Sequence, residues 1–215
     1  MAENTASSPQ PLKTLKVRFG DVTKDNVGQF RQLNLALFPV RYHDKFYRDV
    51  LNPEHVATTK LAYHQDVVIG GVACRIEERK VEASVAAAEA AKKKQKTKEK
   101  GKEEAAKPAS KRLYVMTLGV LAPYRHYGIG AKLLKLVIDY VDSRPDIDEI
   151  YMHVQTSNED ALKFYKKFGF ESIGKIEGYY KRIDPPDCFI VSRSFTKGSV
   201  DKPAGASDDT SSSSA

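Results

Sequence analysis

A low-complexity segment limits how this chain can fold. Residues 81–110 are built almost wholly from alanine, lysine and glutamate. They lack the apolar stripe with which a helix packs against a core. The hydrophobic core must therefore come from the two flanking stretches, at about 14–76 and 111–196. We predict one domain over 14–196, interrupted at 81–110 by a long, solvated loop between two strands.

Both ends of the chain are poor in core-forming residues, and we predict that they are disordered. Residues 1–13 are polar with two prolines, and 197–215 are small and polar with no aromatic side chain. No stretch approaches the ~20 apolar residues of a membrane span. Two cysteines are too few for a disulfide scaffold or a four-cysteine zinc site, and they fit a reducing compartment. We expect a soluble cytoplasmic protein without membrane association, and a nuclear pool stays open.

The positive charge is concentrated in one segment. The formal net charge is +7, but residues 77–112 alone hold 12 Lys and Arg against 7 Glu, which leaves about +2 for the rest. This distribution gives no indication of specific DNA binding. For the segment itself, three interpretations remain: a solvated spacer, sequence-independent contact with ribosomal RNA phosphates, or nuclear targeting.

Hydrophobic periodicity predicts strands and helices on both sides of this segment. Helices are predicted at 25–38, 43–51, 128–141 and 158–168. Strands are predicted at 15–21, 60–65, 67–76, 112–120 and 149–155, with two more after residue 168. This order mixes hairpins with crossovers, so we expect an α/β fold. Its single mixed, twisted sheet of about seven strands should carry helices on both faces.

The loop before the third predicted helix has a pattern suited to phosphate binding. A strand ends near Gly119, and Arg125-x-x-Gly128-x-Gly130-Ala131 then opens the helix. Backbone N–H groups at a helix N-terminus have no partner within the helix and attract anions. The pattern is neither a P-loop nor a dinucleotide fingerprint. Taken alone, its glycines fit either phosphate approach or close packing of helix on sheet.

A second motif places this loop in a family context. Asn158-Glu-Asp-Ala-Leu-Lys-Phe-Tyr-Lys-Lys-Phe-Gly-Phe170, with the Arg-x-x-Gly-x-Gly loop, resembles motifs A and B of the GCN5-related N-acetyltransferase (GNAT) superfamily. Shorter motifs make the chain similar to the catalytic subunits of NatE-type N-terminal acetyltransferases. These motifs are Phe38-Pro-Val-x-Tyr42, Arg112-Leu-Tyr-Val-Met-Thr-Leu-Gly119, His153-Val-Gln155 and Tyr179-Tyr-Lys-Arg-Ile183. The resemblance covers about 15–76 and 111–195; the 81–110 insertion, the Ser-rich tail and the extended N-terminus depart from it.

The resemblance implies a GNAT fold that binds acetyl-CoA in the splay between the central strands, without a metal ion. It implies cofactor contacts at Leu118, Gly119, Val120, Arg125, His126, Tyr127, Gly128, Ile129, Gly130, Ala131, Asn158 and Tyr165. A backbone N–H near Leu118–Val120 is the expected oxyanion donor. Tyr165 is a candidate proton donor to the departing CoA thiolate.

Strand alternation brings two candidate catalytic side chains to one face. It groups Tyr114 with Met116, and His153 with Tyr151 and Gln155. An α-amine with a pKa of ~8 is roughly a tenth neutral at pH 7, so a mild base such as His153 suffices. The resemblance implies that Tyr114 and His153 act together through an ordered water. Outside this context, each would more often be a packing residue.

Two aromatic-apolar loops are predicted to hold the substrate. The predicted substrate-binding residues are Phe38, Pro39, Val40, Tyr42, Met116, Tyr179, Tyr180 and Ile183. By resemblance they receive a nascent polypeptide N-terminus that starts with Met followed by an apolar residue such as Leu. A lysine amine is about 250-fold less neutral at pH 7, so it is the slower alternative substrate. A small-molecule amine would favour an acidic pocket instead.

Partners follow from the resemblance alone. It implies association with the auxiliary and catalytic subunits of NatA at the ribosome, with ribosome contact through the Lys-rich insertion as an option. A weakly active or non-catalytic adaptor subunit is therefore the alternative to an enzyme. The intact Arg125–Ala131 loop and the Tyr114 and His153 pair favour the enzyme.

Overall fold

The computed structural model describes residues 15–79 and 110–195. The predicted tails at 1–13 and 197–215, and the insertion at 81–110 apart from Ser110, lie outside the described residues. On either side of the insertion, the Arg79 N–H donates a 2.9 Å hydrogen bond to the Ser110 carbonyl oxygen. The chain therefore leaves and re-enters the domain at neighbouring points.

The two described ranges contain seven strands and five α-helices, together with one 3-10 turn at Ala122–Tyr124. The strands are β1 Arg18–Asp21, β2 Lys60–His64, β3 Val67–Glu78, β4 Lys111–Val120, β5 Ile147–Gln155, β6 Glu171–Ile176 and β7 Cys188–Ser194. The helices are α1 Val27–Leu37, α2 Asp44–Asp49, α3 Pro53–Val56, α4 Ile129–Asp142 and α5 Glu159–Lys166. In these ranges no helix is both long enough and apolar enough to span a bilayer.

The strands form one sheet in the order β1-β2-β3-β4-β5-β7-β6. All neighbouring strands are antiparallel except β4 and β5, which are parallel because α4 crosses between them. The predicted mixed sheet of about seven strands is confirmed. Helix α3 was not predicted, although Asn52-Pro53-Glu54 carries its start signal: the Asn52 side chain accepts a hydrogen bond from the Glu54 N–H at 3.2 Å.

Two cores, one on each face of the sheet, explain why helices cover both sides. Ile69 and Cys74 of β3 are fully buried in the core that contains α4, whereas Ala73 is fully buried in the core that contains Phe30 of α1. Successive strand residues face opposite ways, so β3 supplies apolar side chains to both cores. The prediction of helices on both faces is confirmed.

The parallel pairing of β4 and β5 ends halfway along both strands. The last aligned pair is Tyr114 and Tyr151, yet β4 continues to Val120 and β5 to Gln155. The Leu121 N–H donates to the Ile69 carbonyl oxygen at 2.9 Å, on the β3 side. Because strand N–H groups alternate in direction, those of Leu118 and Val120 point to the other side, where the ladder has ended.

Candidate active site

Tyr114 and His153 meet where the β4–β5 pairing ends. Tyr114 is aligned with Tyr151, and His153 lies two residues further along β5 on the same face. The Tyr114 hydroxyl lies 3.1 Å from His153 Nδ1, within hydrogen-bond distance, and the two rings meet edge to face. The structure thus brings together the two predicted catalytic side chains.

Both groups are held in their neutral forms at pH 7. Burial lowers the pKa of His153; the carboxylate of Glu77 opposes this shift and the guanidinium of Arg112 adds to it. Burial, together with a hydrogen bond to Tyr179, raises the pKa of the Tyr114 phenol. A neutral imidazole can accept a proton and a neutral phenol can donate one, as general acid–base chemistry requires.

Tyr179 is a third member of this polar cluster. Its ring stacks on His153 with centroids 4.5 Å apart and planes at 22°. Its hydroxyl lies 3.3 Å from His153 Nδ1 and 3.5 Å from the Tyr114 hydroxyl. The sequence indicated Tyr179 only as a substrate contact, because nothing local to its loop places it against β4 and β5.

Sequence reasoning missed the acidic group beside the pair. The Tyr151 hydroxyl donates a 2.6 Å hydrogen bond to Glu77, and its ring stacks on Tyr114 at 4.9 Å. Arg75 donates to Glu77 through Nε at 2.9 Å, and the Arg112 guanidinium lies 4.4 Å from the Tyr151 ring centroid. Strand alternation had signalled only that Tyr151 and His153 share a face.

A cleft of about 790 Å³ opens from Tyr114 and His153 between the α1–α2 and β6–β7 segments. Seven of the eight predicted substrate-binding residues line it: Pro39, Val40, Tyr42, Met116, Tyr179, Tyr180 and Ile183. The structure adds Arg41, His43, Phe46, Lys181 and Arg182 to this lining. Phe38, the eighth, does not line the cleft.

Phe38 supports the cleft from behind. Its ring meets that of Tyr42 edge to face at 6.2 Å, and a Cβ added at Gly119 would lie 3.2 Å from its Cζ. Gly119 therefore lets the end of α1 approach β4 closely. The prediction that Phe38 contacts substrate directly is wrong for the cleft as folded, because its ring fills the space between Tyr42 and the strand.

The inner wall of the cleft is aromatic and uncharged. Tyr42 stacks on Phe46 with ring centroids 4.5 Å apart. Burial raises the pKa of both Tyr42 and Tyr180 to about 12, so both phenols stay neutral. No Asp or Glu lies among the lining residues within the described part of the chain. Such a wall suits an apolar side chain better than a cationic amine.

The glycines at the start of α4 are not explained by packing. Gly128 has a φ of +75°, which favours glycine, and it directly precedes the helix. A Cβ at Gly130 would meet its nearest neighbours at 3.8 Å, an ordinary contact distance. The Lys132 N–H makes a bond to the Gly128 carbonyl, so the N–H groups of 129–131 precede it unpartnered by the helix. This arrangement fits a phosphate cradle.

The other predicted cofactor residues have mixed environments. Arg125 donates through Nε to the Val120 carbonyl oxygen at 3.1 Å, which ties the loop to the end of β4. Asn158 caps α5 by accepting a 3.1 Å hydrogen bond from the Ala161 N–H. Tyr165 is buried next to Phe170, and burial raises the pKa of its phenol. Cofactor contact by these residues stays a prediction.

This sheet, its interrupted parallel pair and the adjoining helix N-terminus match a known family. The model of the acetyltransferase (GNAT) family matches residues 27–170. The chain therefore belongs to the GNAT family and is an acyltransferase.

Individual relatives are more specific. The chain is 41% identical to N-alpha-acetyltransferase 50 of Danio rerio over 179 residues, which cover 83% of this chain and 89% of the relative. It is 38% identical to the probable N-acetyltransferase san of Drosophila melanogaster over 181 residues, covering 84% and 82%. Among solved structures, Arabidopsis thaliana Naa50 in complex with the bisubstrate analogue CoA-Ac-MVNAL is 44% identical. It has a TM-score of 0.66, and the match covers 83% of this chain and 99% of that one.

Proposed function

We propose that this protein transfers the acetyl group of acetyl-CoA to the α-amine of polypeptides that start with Met followed by an apolar residue such as Leu. The observation that carries the proposal is the Tyr114 and His153 pair, 3.1 Å apart at the inner end of an aromatic cleft. The similarity to Arabidopsis thaliana Naa50 supports it, since the analogue bound there joins CoA to a peptide that begins with Met.

The chemistry needs a base, an oxyanion donor and a proton for the leaving group. Acetyl-CoA supplies an acetyl group activated as a thioester. His153, neutral at pH 7, takes the amine proton through an ordered water that Tyr114 holds in place. The backbone N–H groups of Leu118 and Val120 stabilise the developing negative charge on the thioester oxygen. Tyr165 keeps its phenolic proton and can donate it to the CoA thiolate.

The cosubstrate and the peptide approach from different sides. The unpartnered N–H groups at the start of α4 would hold the pyrophosphate of acetyl-CoA. Tyr42, Met116 and Ile183 would surround the Met and the following side chain. Burying one such side chain is worth ~1.5–3 kcal/mol, roughly a ten- to hundredfold preference.

The cellular setting forms part of the proposal. We place the protein in the cytoplasm, beside the auxiliary and catalytic subunits of NatA at the ribosome, where nascent N-termini emerge. The resemblance to NatE catalytic subunits and the net charge of +5 over 77–112 support this setting. Salt-sensitive co-sedimentation with ribosomes, lost on deletion of 81–110, is the expected result. Ribosome binding that survives the deletion would contradict a contact through the insertion.

Acetyl transfer to two matched peptides tests the activity itself. One peptide begins Met-Leu with a free α-amine; the other has a blocked N-terminus and an internal lysine. We expect fast turnover of the first peptide, lost by about a hundredfold in Tyr114→Phe and His153→Ala and retained in the control His64→Gln. Faster turnover of the blocked peptide would indicate a lysine acetyltransferase. Turnover of neither peptide, despite acetyl-CoA binding, would indicate an adaptor.

A further inference from the structure

The mouth of the cleft carries three cationic side chains, Arg41, Lys181 and Arg182, which we call the basic rim. Arg41 comes from the α1–α2 segment, and the other two come from the β6–β7 segment on the opposite side. All three are exposed, whereas Tyr114 and His153 at the inner end are half-buried. In the described ranges, none of the three forms an ion pair within 4.0 Å.

The carboxylates closest to the rim in the chain do not neutralise it. Asp44 accepts a 2.6 Å hydrogen bond from Arg31. Asp187 lies 2.7 Å from Lys175 Nζ. Asp184 follows Ile183 but does not line the cleft. The rim therefore faces the cleft with an excess of positive charge.

The position of the rim corresponds to a particular part of the substrate. With its α-amine at Tyr114 and His153, an extended peptide advances ~3.4 Å per residue. Its third to fifth residues then lie roughly 7–14 Å from the reacting nitrogen, at the exposed end of the cleft. The aromatic inner wall contacts the first two side chains, and the rim meets those that follow.

We infer that the basic rim selects substrates with acidic residues at positions three to five, after the initial Met and apolar residue. This inference rests on the proposed function and narrows its substrate class. Ion pairs at exposed positions are individually weak, so each acidic residue should raise kcat/KM about two- to fivefold. Added salt should screen the preference.

Three peptides of equal length test the inference: Met-Leu followed by two Glu, two Gln or two Lys, with identical remaining residues. At low salt we expect kcat/KM to fall in the order Glu, Gln, Lys, and the three values to converge at 0.5 M NaCl. In the double variant Arg41→Glu with Arg182→Glu, the order should reverse. Lys24→Glu, an exposed change of the same charge outside the cleft, should keep the original order.

Each contrary outcome has a distinct meaning. Equal kcat/KM for the three peptides in the unaltered protein overturns the inference but leaves the proposed function standing. A preference for Glu that persists in the double variant also overturns it. If the double variant raises KM for acetyl-CoA and keeps its peptide order, the rim binds phosphate of the cosubstrate and the inference is wrong. No turnover of the Gln peptide removes both the inference and the proposed function.

Discussion

Tyr151 links Glu77 to the Tyr114 and His153 pair: its hydroxyl donates a 2.6 Å hydrogen bond to Glu77, while its ring stacks on Tyr114 at 4.9 Å. Glu77 is thereby fixed on the same face of the sheet as the two candidate catalytic side chains. Its negative charge favours the imidazolium form of His153 and opposes the effect of burial on the pKa of that imidazole. Glu77 is therefore a positioning residue that also makes His153 a stronger base.

Glu77→Gln should weaken this base. The amide still accepts the Tyr151 hydrogen bond, but loss of the charge lowers the pKa of His153 further. A histidine NMR titration should therefore show its midpoint moving to lower pH, and kcat should fall about fivefold. Glu78→Gln, an exposed neighbour on the same strand, is the matched control. An unchanged His153 midpoint in Glu77→Gln would show that the carboxylate does not act on the imidazole.

Tyr179→Phe separates the hydroxyl from the ring. The substitution removes the group 3.3 Å from His153 Nδ1 but keeps the stacking at 4.5 Å. We expect kcat to fall about three- to tenfold, since a hydrogen bond contributes ~1 kcal/mol, with KM for the peptide nearly unchanged. Tyr140→Phe, on α4, removes a hydroxyl bonded to Arg144 instead and should change neither constant. A rise in KM alone would assign Tyr179 to binding only.

Gly130→Ala distinguishes ligand approach from packing. The added methyl meets only ordinary contacts at 3.8 Å, and alanine is a better helix former by ~0.5–1 kcal/mol. Thermal stability should therefore be equal or higher. KM for acetyl-CoA should rise about tenfold, because one charge-assisted hydrogen bond is worth ~1.5–3 kcal/mol. Lower stability with an unchanged KM would mean that the glycine serves packing.

Phe30→Ala should destabilise the core on the α1 face. The Phe30 side chain is fully buried, with ring centroids 6.1 Å from Phe46 and 6.0 Å from Tyr47. The free energy of unfolding should fall by ~3–5 kcal/mol in urea denaturation. Leu35→Ala on the same helix, 46% exposed, should cost less than ~1 kcal/mol. Similar losses in both variants would show that this core is loosely packed.

Replacing residues 80–109 with Asn-Gly should leave acetylation of a short peptide nearly unchanged. The hydrogen bond between the Arg79 N–H and the Ser110 carbonyl already brings β3 and β4 together at the point of insertion. A two-residue turn can close such a hairpin. Measured kcat/KM should stay within about twofold, because the cleft is built from other residues. A collapse of turnover with a normal melting temperature would show that the insertion acts in the reaction.

The sequence by itself determined the features that depend on local order. Helical periodicity predicted α4, strand alternation put Tyr114 and His153 on faces that could meet, and the Arg125–Ala131 motif predicted a loop before a helix N-terminus. Each of these follows from spacing along one short stretch, where backbone geometry repeats regularly.

Only the tertiary structure decided which distant side chains meet. Glu77 lies 74 positions from Tyr151, and the two come within hydrogen-bond distance only through the pairing of β3, β4 and β5. A bulge between Ala73 and Cys74 shifts that register. Tyr179 reaches His153, and Phe38 withdraws behind Tyr42, for the same reason: long-range packing fixes loop side chains, and a local pattern carries no information about it.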